Sequence, residues 1–268
     1  MLHPPGPSGL PFLGNLHQMD SSAPHQYLSQ LSKKYGPLMS LRLGSVPTIV
    51  VSSARLAKEV MKTHDLAFCS RPSLFGQQKL SYNGIDVAFS PYNGYWREMR
   101  KICTLYLFSP KRVQSFHPIR EDEVARMIKK ICEQASSSKL TNLSETLMSL
   151  TNAIICRVAF GKRYDDNRYE RSRFHGLFYE IQEIMGSFYV SDYFPLFGWV
   201  DKLTGLRSRL EKCFKRMDTF YQELIDEHLS SHKENSKQED IIDILLQLKE
   251  DQLSSIDLTF DHIKAVLM

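Results

Sequence analysis

The chain has 268 residues and a mass of 31.0 kDa, with 42% hydrophobic residues, 24% charged residues and a formal net charge of +4. This composition is typical of a globular protein, and it excludes a disordered tail, a collagen-like rod and a disulfide-dense miniprotein. Residues 96–139 contain ten Lys or Arg against five Asp or Glu. Such a modest basic surplus favours a protein-docking or carboxylate-binding surface over a nucleic-acid footprint.

The cysteines predict reduced thiols and no zinc or iron–sulfur site, because their number is odd and no pair has C-x-x-C spacing. They are Cys69, Cys103, Cys132, Cys156 and Cys213. No apolar run approaches the length of a membrane span, and prolines follow His3 at once. We therefore expect no secretory signal peptide and no membrane anchor within these residues.

The first 64 residues predict an extended lead-in and a small sheet. Residues 4–15 hold four prolines and three glycines, which disfavour a helix or a central strand. A helix starting at Pro24 is expected to end at Gly36. Alternation of apolar and polar residues over 38–52 predicts a β-hairpin, and a short helix follows over 53–64.

Residues 65–94 predict a long irregular segment, because prolines, glycines and asparagines interrupt every regular pattern. Large apolar residues make this segment too hydrophobic for a solvated linker. It has two interpretations, the wall of a substrate pocket or a well-packed surface loop.

From Tyr95 onward the periodicity is almost entirely helical. Asn142 and Glu145 predict a capping box at the start of one helix, and Gly161 predicts its end. An apolar loop is expected over 193–200 and a polar loop over 230–239. The predicted helices cover 95–107, the region of 124–131, 142–161, 171–187, 206–224, 241–248 and a last one from Asp257.

The most informative local motif places Trp96 and Arg100 four residues apart, on one helix face. An indole N–H beside a guanidinium is a donor pair suited to a carboxylate or a phosphate. The alternative is a core tryptophan with an arginine extending past it to solvent, and the motif alone favours this packing interpretation. Glu123 with Arg126, and Glu170 with Arg173, are expected to be ordinary helix ion pairs.

The order of these features resembles the N-terminal half of a plant microsomal cytochrome P-450, a haem-thiolate monooxygenase. The resemblance rests on the proline-rich lead-in, the hairpin, the Phe-x-Ser-Arg-Pro segment ending at Pro72, and Trp-Arg-x-x-Arg-Lys at 96–101. It implies a mainly α fold with a small N-terminal β-sheet, incomplete here. Residues 1–15 would be the hinge, and 16–268 the N-terminal portion of a single domain, cut within a helix.

The resemblance also implies roles and partners. Trp96 and Arg100 match the pair that holds a haem propionate, which reverses the preference stated above. Residues 73–91 match a substrate-contacting loop, and 184–206 an access-channel region. The implied partners are a small apolar plant metabolite and an NADPH-dependent flavoprotein reductase meeting a basic face at Arg97, Lys101, Lys111 and Arg112. The implied location is the cytosolic face of the endoplasmic reticulum membrane.

The haem-ligand loop of the family, F-x-x-G-x-R-x-C-x-G, has no counterpart around any of the five cysteines. The sequence therefore predicts no iron ligand, no catalytic residue and no metal site in this chain, which should be inactive alone. The rival hypothesis is a truncated, non-catalytic helical protein that binds haem, a hydrophobic small molecule or the electron-donor protein. Cooperative unfolding as a monomer would favour this rival.

Overall fold

The computed structural model describes residues 4–20, 22–164, 168–231, 239–252 and 256–268. Over these residues the chain is mainly helical, with one two-stranded antiparallel sheet, so the predicted fold class is confirmed. The strands are β1 (Leu38–Leu43) and β2 (Val46–Val51). The helices are α1 (Pro24–Tyr35), α2 (Ala54–Lys58), α3 (Asp65–Phe68), α4 (Phe75–Leu80), α5 (Gly94–Ile102), α6 (Pro110–Ser115), α7 (His117–Ser136), α8 (Leu143–Phe160), α9 (Arg168–Met185), α10 (Val190–Tyr193), α11 (Val200–Leu203), α12 (Leu206–Ser231), α13 (Ile241–Glu250) and α14 (Phe260–Leu267).

The chain divides into two compact units, one formed by Met1–Gly76 with Ser187–Arg209 and the other by Gln77–Gly186 with Leu210–Met268. In the first unit the hairpin pairs Leu38 with Val51 and Leu43 with Val46, and Gly44 makes the turn at φ +60°. The lead-in runs beside β1, where the Ser40 N–H donates to the Pro5 carbonyl at 3.0 Å. The hairpin and the non-helical lead-in are both as predicted.

The prediction that residues 65–94 lack regular structure is wrong in two places, α3 and α4. Gly76 lies inside α4 although glycine disfavours helices, and a Cβ there would lie 2.6 Å from the Tyr189 ring. The Phe75 N–H also donates to Asp192 at 2.8 Å. Packing against residues more than a hundred positions away therefore overrides the local helix propensity. A local sequence pattern contains no information on such distant contacts.

Helix ends differ from the predictions where capping or packing decides them. The last helix begins at Phe260 rather than Asp257, because Thr259 forms a capping box with His262. Of the capping box predicted at Asn142, only the bond from the Glu145 N–H to the Asn142 side chain is present. A 3-10 turn, Pro195–Phe197, lies within the predicted apolar loop. Most of the predicted loop at 230–239 lies outside the described residues.

The core of the second unit includes an aromatic cluster formed by side chains of α8, α9 and α12 together with Tyr164. Phe220 lies at its centre and is 4% exposed. Its ring centroid lies 6.2 Å from that of Phe160, 5.9 Å from those of Tyr164 and Phe174, and 5.7 Å from that of Tyr221. Tilted and edge-on contacts at these separations add to the free energy gained by burying the rings.

Glu123 on α7 carries a buried charge that holds two arginines. Its Oε1 lies 2.7 Å from the Arg157 guanidinium and 3.0 Å from the Arg163 Nε. The predicted Glu123–Arg126 pair is therefore wrong, since Arg126 instead pairs with Asp122 at 3.1 Å. Helix spacing predicts only pairs within one helix, whereas Glu123 faces inward and pairs with arginines from distant parts of the chain. The Glu170–Arg173 pair lies outside the described side chains.

Candidate functional site

Helix α5 presents the predicted motif, and its start is fixed by local sequence. The Asn93 side chain accepts a hydrogen bond from the Trp96 backbone N–H at 2.8 Å. Met99 and Ile102 face inward and are buried, at 0% and 4% exposed. Because side chains four residues apart share a face, Trp96 and Arg100 lie together, one half-buried and the other exposed.

The structure brings Trp96 and Arg100 into direct contact. The Arg100 guanidinium carbon lies 5.1 Å from the centroid of the Trp96 ring, a cation–π geometry. Within the described part of the chain, Arg100 forms no ion pair with a carboxylate. Its charge is therefore positioned by the indole and remains available to an anion from solvent.

The indole N–H of Trp96 is bonded to the protein backbone. Its Nε1 donates to the Val87 carbonyl at 2.9 Å. Since an indole has one donor, this bond occupies it and ties α5 to the preceding segment. In this structure Arg100 is the free donor of the pair, and the Trp96 ring is the surface on which the guanidinium rests.

The segment before α5 is held by two further groups that sequence analysis missed. Asp86 is 2% exposed and its carboxylate accepts the N–H groups of Ala88 and Phe89 at 3.0 and 3.1 Å. Burial raises the pKa of Asp86 above its usual value, although these N–H bonds lower it in part. The Tyr95 hydroxyl donates to the Ile85 carbonyl at 2.6 Å. The sequence signal for this turn was an aspartate placed two and three residues before the backbone N–H groups that its side chain accepts from.

A second polar cluster joins α12 to α13. His228 Nε2 lies 2.8 Å from an Asp240 oxygen, and His228 Nδ1 lies 2.7 Å from the Leu224 carbonyl. Burial lowers the pKa of His228, but the bond to Asp240 and its charge outweigh that effect and raise it overall. Both ring nitrogens thus face acceptors, an arrangement that favours the doubly protonated ring over a metal-ligating one, although Asp243 lies close by.

The basic face expected on α5 and α6 is present in part. Arg97, Lys101 and Lys111 are exposed, and the Lys101 ammonium lies 3.6 Å from a Glu98 carboxylate oxygen. Arg112 is partly withdrawn, since its guanidinium pairs with Glu239 at 3.0 Å. No helix within the described part of the chain combines the length and the apolar character that crossing a bilayer requires.

Fold and site together define a mainly helical protein with an exposed arginine that rests on a tryptophan ring. The sequence matches the family model described as cytochrome P-450 over residues 4–268. The chain therefore belongs to the cytochrome P-450 family, as the sequence motifs predicted. A zebra fish cytochrome P-450 structure with progesterone has a similar fold, with a TM-score of 0.70 at 23% identity, covering 91% of this chain and 54% of that chain.

Curated relatives are similar along the whole chain. The 6,7,8-trihydroxycoumarin synthase of Pastinaca sativa is 53% identical over 267 residues, covering 99% of this chain and 52% of the relative. The 5-OH-xanthotoxin synthase of Ammi majus is 53% identical over 268 residues, with 99% of this chain and 52% of the relative covered. The chain thus spans about half the length of the curated relatives it matches.

Proposed function

We propose that this chain belongs to a haem monooxygenase that adds an oxygen atom from O2 to a small planar aromatic plant metabolite of the coumarin class. In this proposal Arg100 holds a haem propionate and residues 73–91 contribute a wall of the substrate pocket. The catalytic cysteine loop has no counterpart here, so we expect the 268 residues alone to be inactive.

The proposal rests on the exposure and the contacts of the Arg100 side chain. An exposed guanidinium, held over an indole and without a carboxylate partner among the described residues, fits the requirements of a propionate. The haem, when bound, would supply the iron that activates O2. The part of Trp96 is then to orient the arginine, while its N–H keeps α5 attached to Val87.

The substrate class is drawn from the relatives. Two proteins with 53% identity carry names that denote hydroxylated coumarin-type products. The fused ring system of such molecules is flat and aromatic, which suits a pocket wall built from the large apolar residues of 73–91. The match extends over 99% of this chain and therefore includes that wall.

We also propose the partner and the location. The electron donor would be an NADPH-dependent flavoprotein reductase with an acidic surface, and the exposed Arg97, Lys101 and Lys111 supply the opposite charge. The protein would act at the cytosolic face of the endoplasmic reticulum membrane. Arg112 and Lys101 contribute less to this face, because Glu239 and Glu98 lie 3.0 and 3.6 Å from their charged groups.

Replacing Arg100 with alanine should weaken haemin binding by the chain roughly tenfold or more, because a charge-assisted bond to a carboxylate contributes about 1.5–3 kcal/mol. The measurement is an absorbance titration of the chain with haemin. Arg97→Ala is the matched control, since Arg97 is also exposed on α5 and lies 5.9 Å from an aromatic ring centroid, that of Tyr92.

The dimethyl ester of haemin completes this experiment, because it lacks the free carboxylates. With the ester, the wild-type chain and Arg100→Ala should bind equally. The propionate assignment is wrong if both arginine variants weaken haemin binding alike, or if Arg100→Ala still differs from wild type with the ester. It is also wrong if the wild-type chain does not bind haemin at all.

The activity is tested on native protein captured with an antibody against residues 230–239. Mass spectrometry gives the size of the captured species, and incubation with 7-hydroxycoumarin, NADPH and the flavoprotein reductase reports hydroxylation. We expect a species substantially heavier than 31.0 kDa to form product and the 268-residue chain to form none. A captured species of 31.0 kDa would favour the non-catalytic binding protein, and turnover by the chain alone would contradict the predicted inactivity.

A further inference from the structure

The turn that follows α4 has an unusual backbone. Tyr82, Asn83 and Gly84 are all left-handed, at φ +52°, +65° and +77°. Glycine adopts this conformation freely, whereas tyrosine and asparagine pay a free-energy cost there. Two consecutive strained residues persist only where surrounding contacts determine the conformation, so the structure should contain a clamp.

The clamp acts on the Tyr82 side chain. Tyr82 is 8% exposed, and its hydroxyl donates to Asp218 Oδ1 at 3.0 Å. Its ring meets the Phe214 ring edge-on, with centroids 5.1 Å apart. Burial raises the pKa of Tyr82 far above its ordinary value, and the nearby Asp218 charge adds to the rise. The phenol therefore remains a donor at any physiological pH.

Asp218 is itself held by a buried cation. The Lys264 ammonium lies 2.6 Å from the same Oδ1 that accepts the Tyr82 hydroxyl. Lys264 is 5% exposed on α14, between the buried residues Ile263 and Ala265. A lysine so deeply buried needs a fixed anionic partner. One carboxylate oxygen thus serves both groups, so Lys264 and Tyr82 share an acceptor.

We propose that Tyr82 is a positioning residue, which clamps the turn after α4, within residues 77–91, through the oxygen of Asp218 that Lys264 orients. The clamp gives the left-handed turn at 82–84 one backbone conformation ahead of any ligand, next to residues that Asp86, Tyr95 and Trp96 already hold. Because these residues belong to the wall proposed above, the clamp would define the shape presented to a flat aromatic substrate, and this last step alone rests on the proposed function. Preorganisation of this kind favours ligands that match the existing shape.

Amide hydrogen exchange of the full chain tests the clamp. In Tyr82→Phe, exchange over 77–91 should rise roughly tenfold, as expected for the loss of one hydrogen bond to a charged acceptor. Exchange in α8 and α13 should stay unchanged. Tyr179→Phe is the matched control, since Tyr179 is 58% exposed on α9. The clamp is refuted if 77–91 is unprotected in the wild type, if Tyr82→Phe leaves it protected, or if protection falls throughout the chain.

A double-mutant cycle with Lys264→Met distinguishes a shared clamp from two separate contacts. If Lys264 acts by orienting Asp218, each single variant should raise exchange over 77–91, and the double variant should exceed either single variant by less than twofold. Multiplicative effects would show that the two groups act independently and would overturn the role of Lys264. Asn83→Gly, which relieves strain in the same turn, should partly restore protection to Tyr82→Phe.

The same exchange measurement, repeated with 7-hydroxycoumarin, separates this inference from the proposed function. If residues 77–91 form the substrate wall, the probe should lower their exchange in the wild-type chain. If the probe has no effect while Tyr82→Phe still raises exchange, the clamp stands and the proposed role of this segment as a coumarin-binding wall fails.

Discussion

Phe220→Ala should destabilise the chain by about 3–5 kcal/mol, the cost typical of removing a buried phenylalanine from a packed core. The large value is expected because the Phe220 ring meets four other aromatic rings, so its removal leaves a cavity that stiff neighbours cannot fill. Urea unfolding followed by far-ultraviolet circular dichroism measures the change. If the midpoint urea concentration falls while the dependence of the unfolding free energy on urea stays the same, the variant has lost stability. A changed dependence would instead indicate a more compact unfolded state.

Phe108→Ala is the matched control, because Phe108 is 62% exposed in the same compact unit. Its removal should change the free energy of unfolding by no more than about 0.5 kcal/mol. A loss below about 1 kcal/mol for Phe220→Ala would mean that the cluster repacks around the gap, and would contradict the packing described above.

Glu123→Gln should cost about 2–3 kcal/mol, because two arginines lose their shared anion. The value lies below the roughly 3–5 kcal/mol typical of fully buried pairs, since the Arg157 and Arg163 side chains are 25% and 19% exposed and water screens them in part. Arg157 also retains its contact with Asp122. The same urea titration measures the loss.

The control for this charge effect is Glu121→Gln, two residues away on α7. Glu121 is 70% exposed and pairs with His117 at 3.2 Å, so its neutralisation should change stability by less than about 0.5 kcal/mol. Equal effects for the two variants would show that net charge, rather than the buried ion cluster, accounts for the result.

Sequence periodicity located the long helices and the hairpin well, because one face of each must be apolar and the spacing of that face identifies the element. The prediction for 206–224, for example, fell wholly inside α12. Sequence periodicity was less successful where contacts with distant residues determine the local structure. Gly76 lies in a helix whose first N–H donates to Asp192, and Glu123 pairs with Arg157 and Arg163. None of these three partners is close in sequence.

The candidate site, too, was predicted from the sequence only in part. The spacing of Trp96 and Arg100 was enough to predict a shared face, and the two side chains do meet. Spacing gave no information on the direction of the indole N–H, since its acceptor is a backbone carbonyl, which every residue has. The Tyr82–Asp218–Lys264 clamp was likewise missed, although a lone lysine in the apolar pattern of the last helix was a visible signal.

The burial of the cysteines gives the folded chain a built-in reporter. Cys103, Cys156 and Cys213 are buried, whereas Cys132 is exposed. Burial also raises the pKa of Cys103 to about 11, which suppresses the reactive thiolate. Alkylating reagents should therefore modify Cys132 first and reach the three interior sulfurs only when the second unit opens. The order in which the thiols are alkylated would then record the opening of that core without any substitution in the chain.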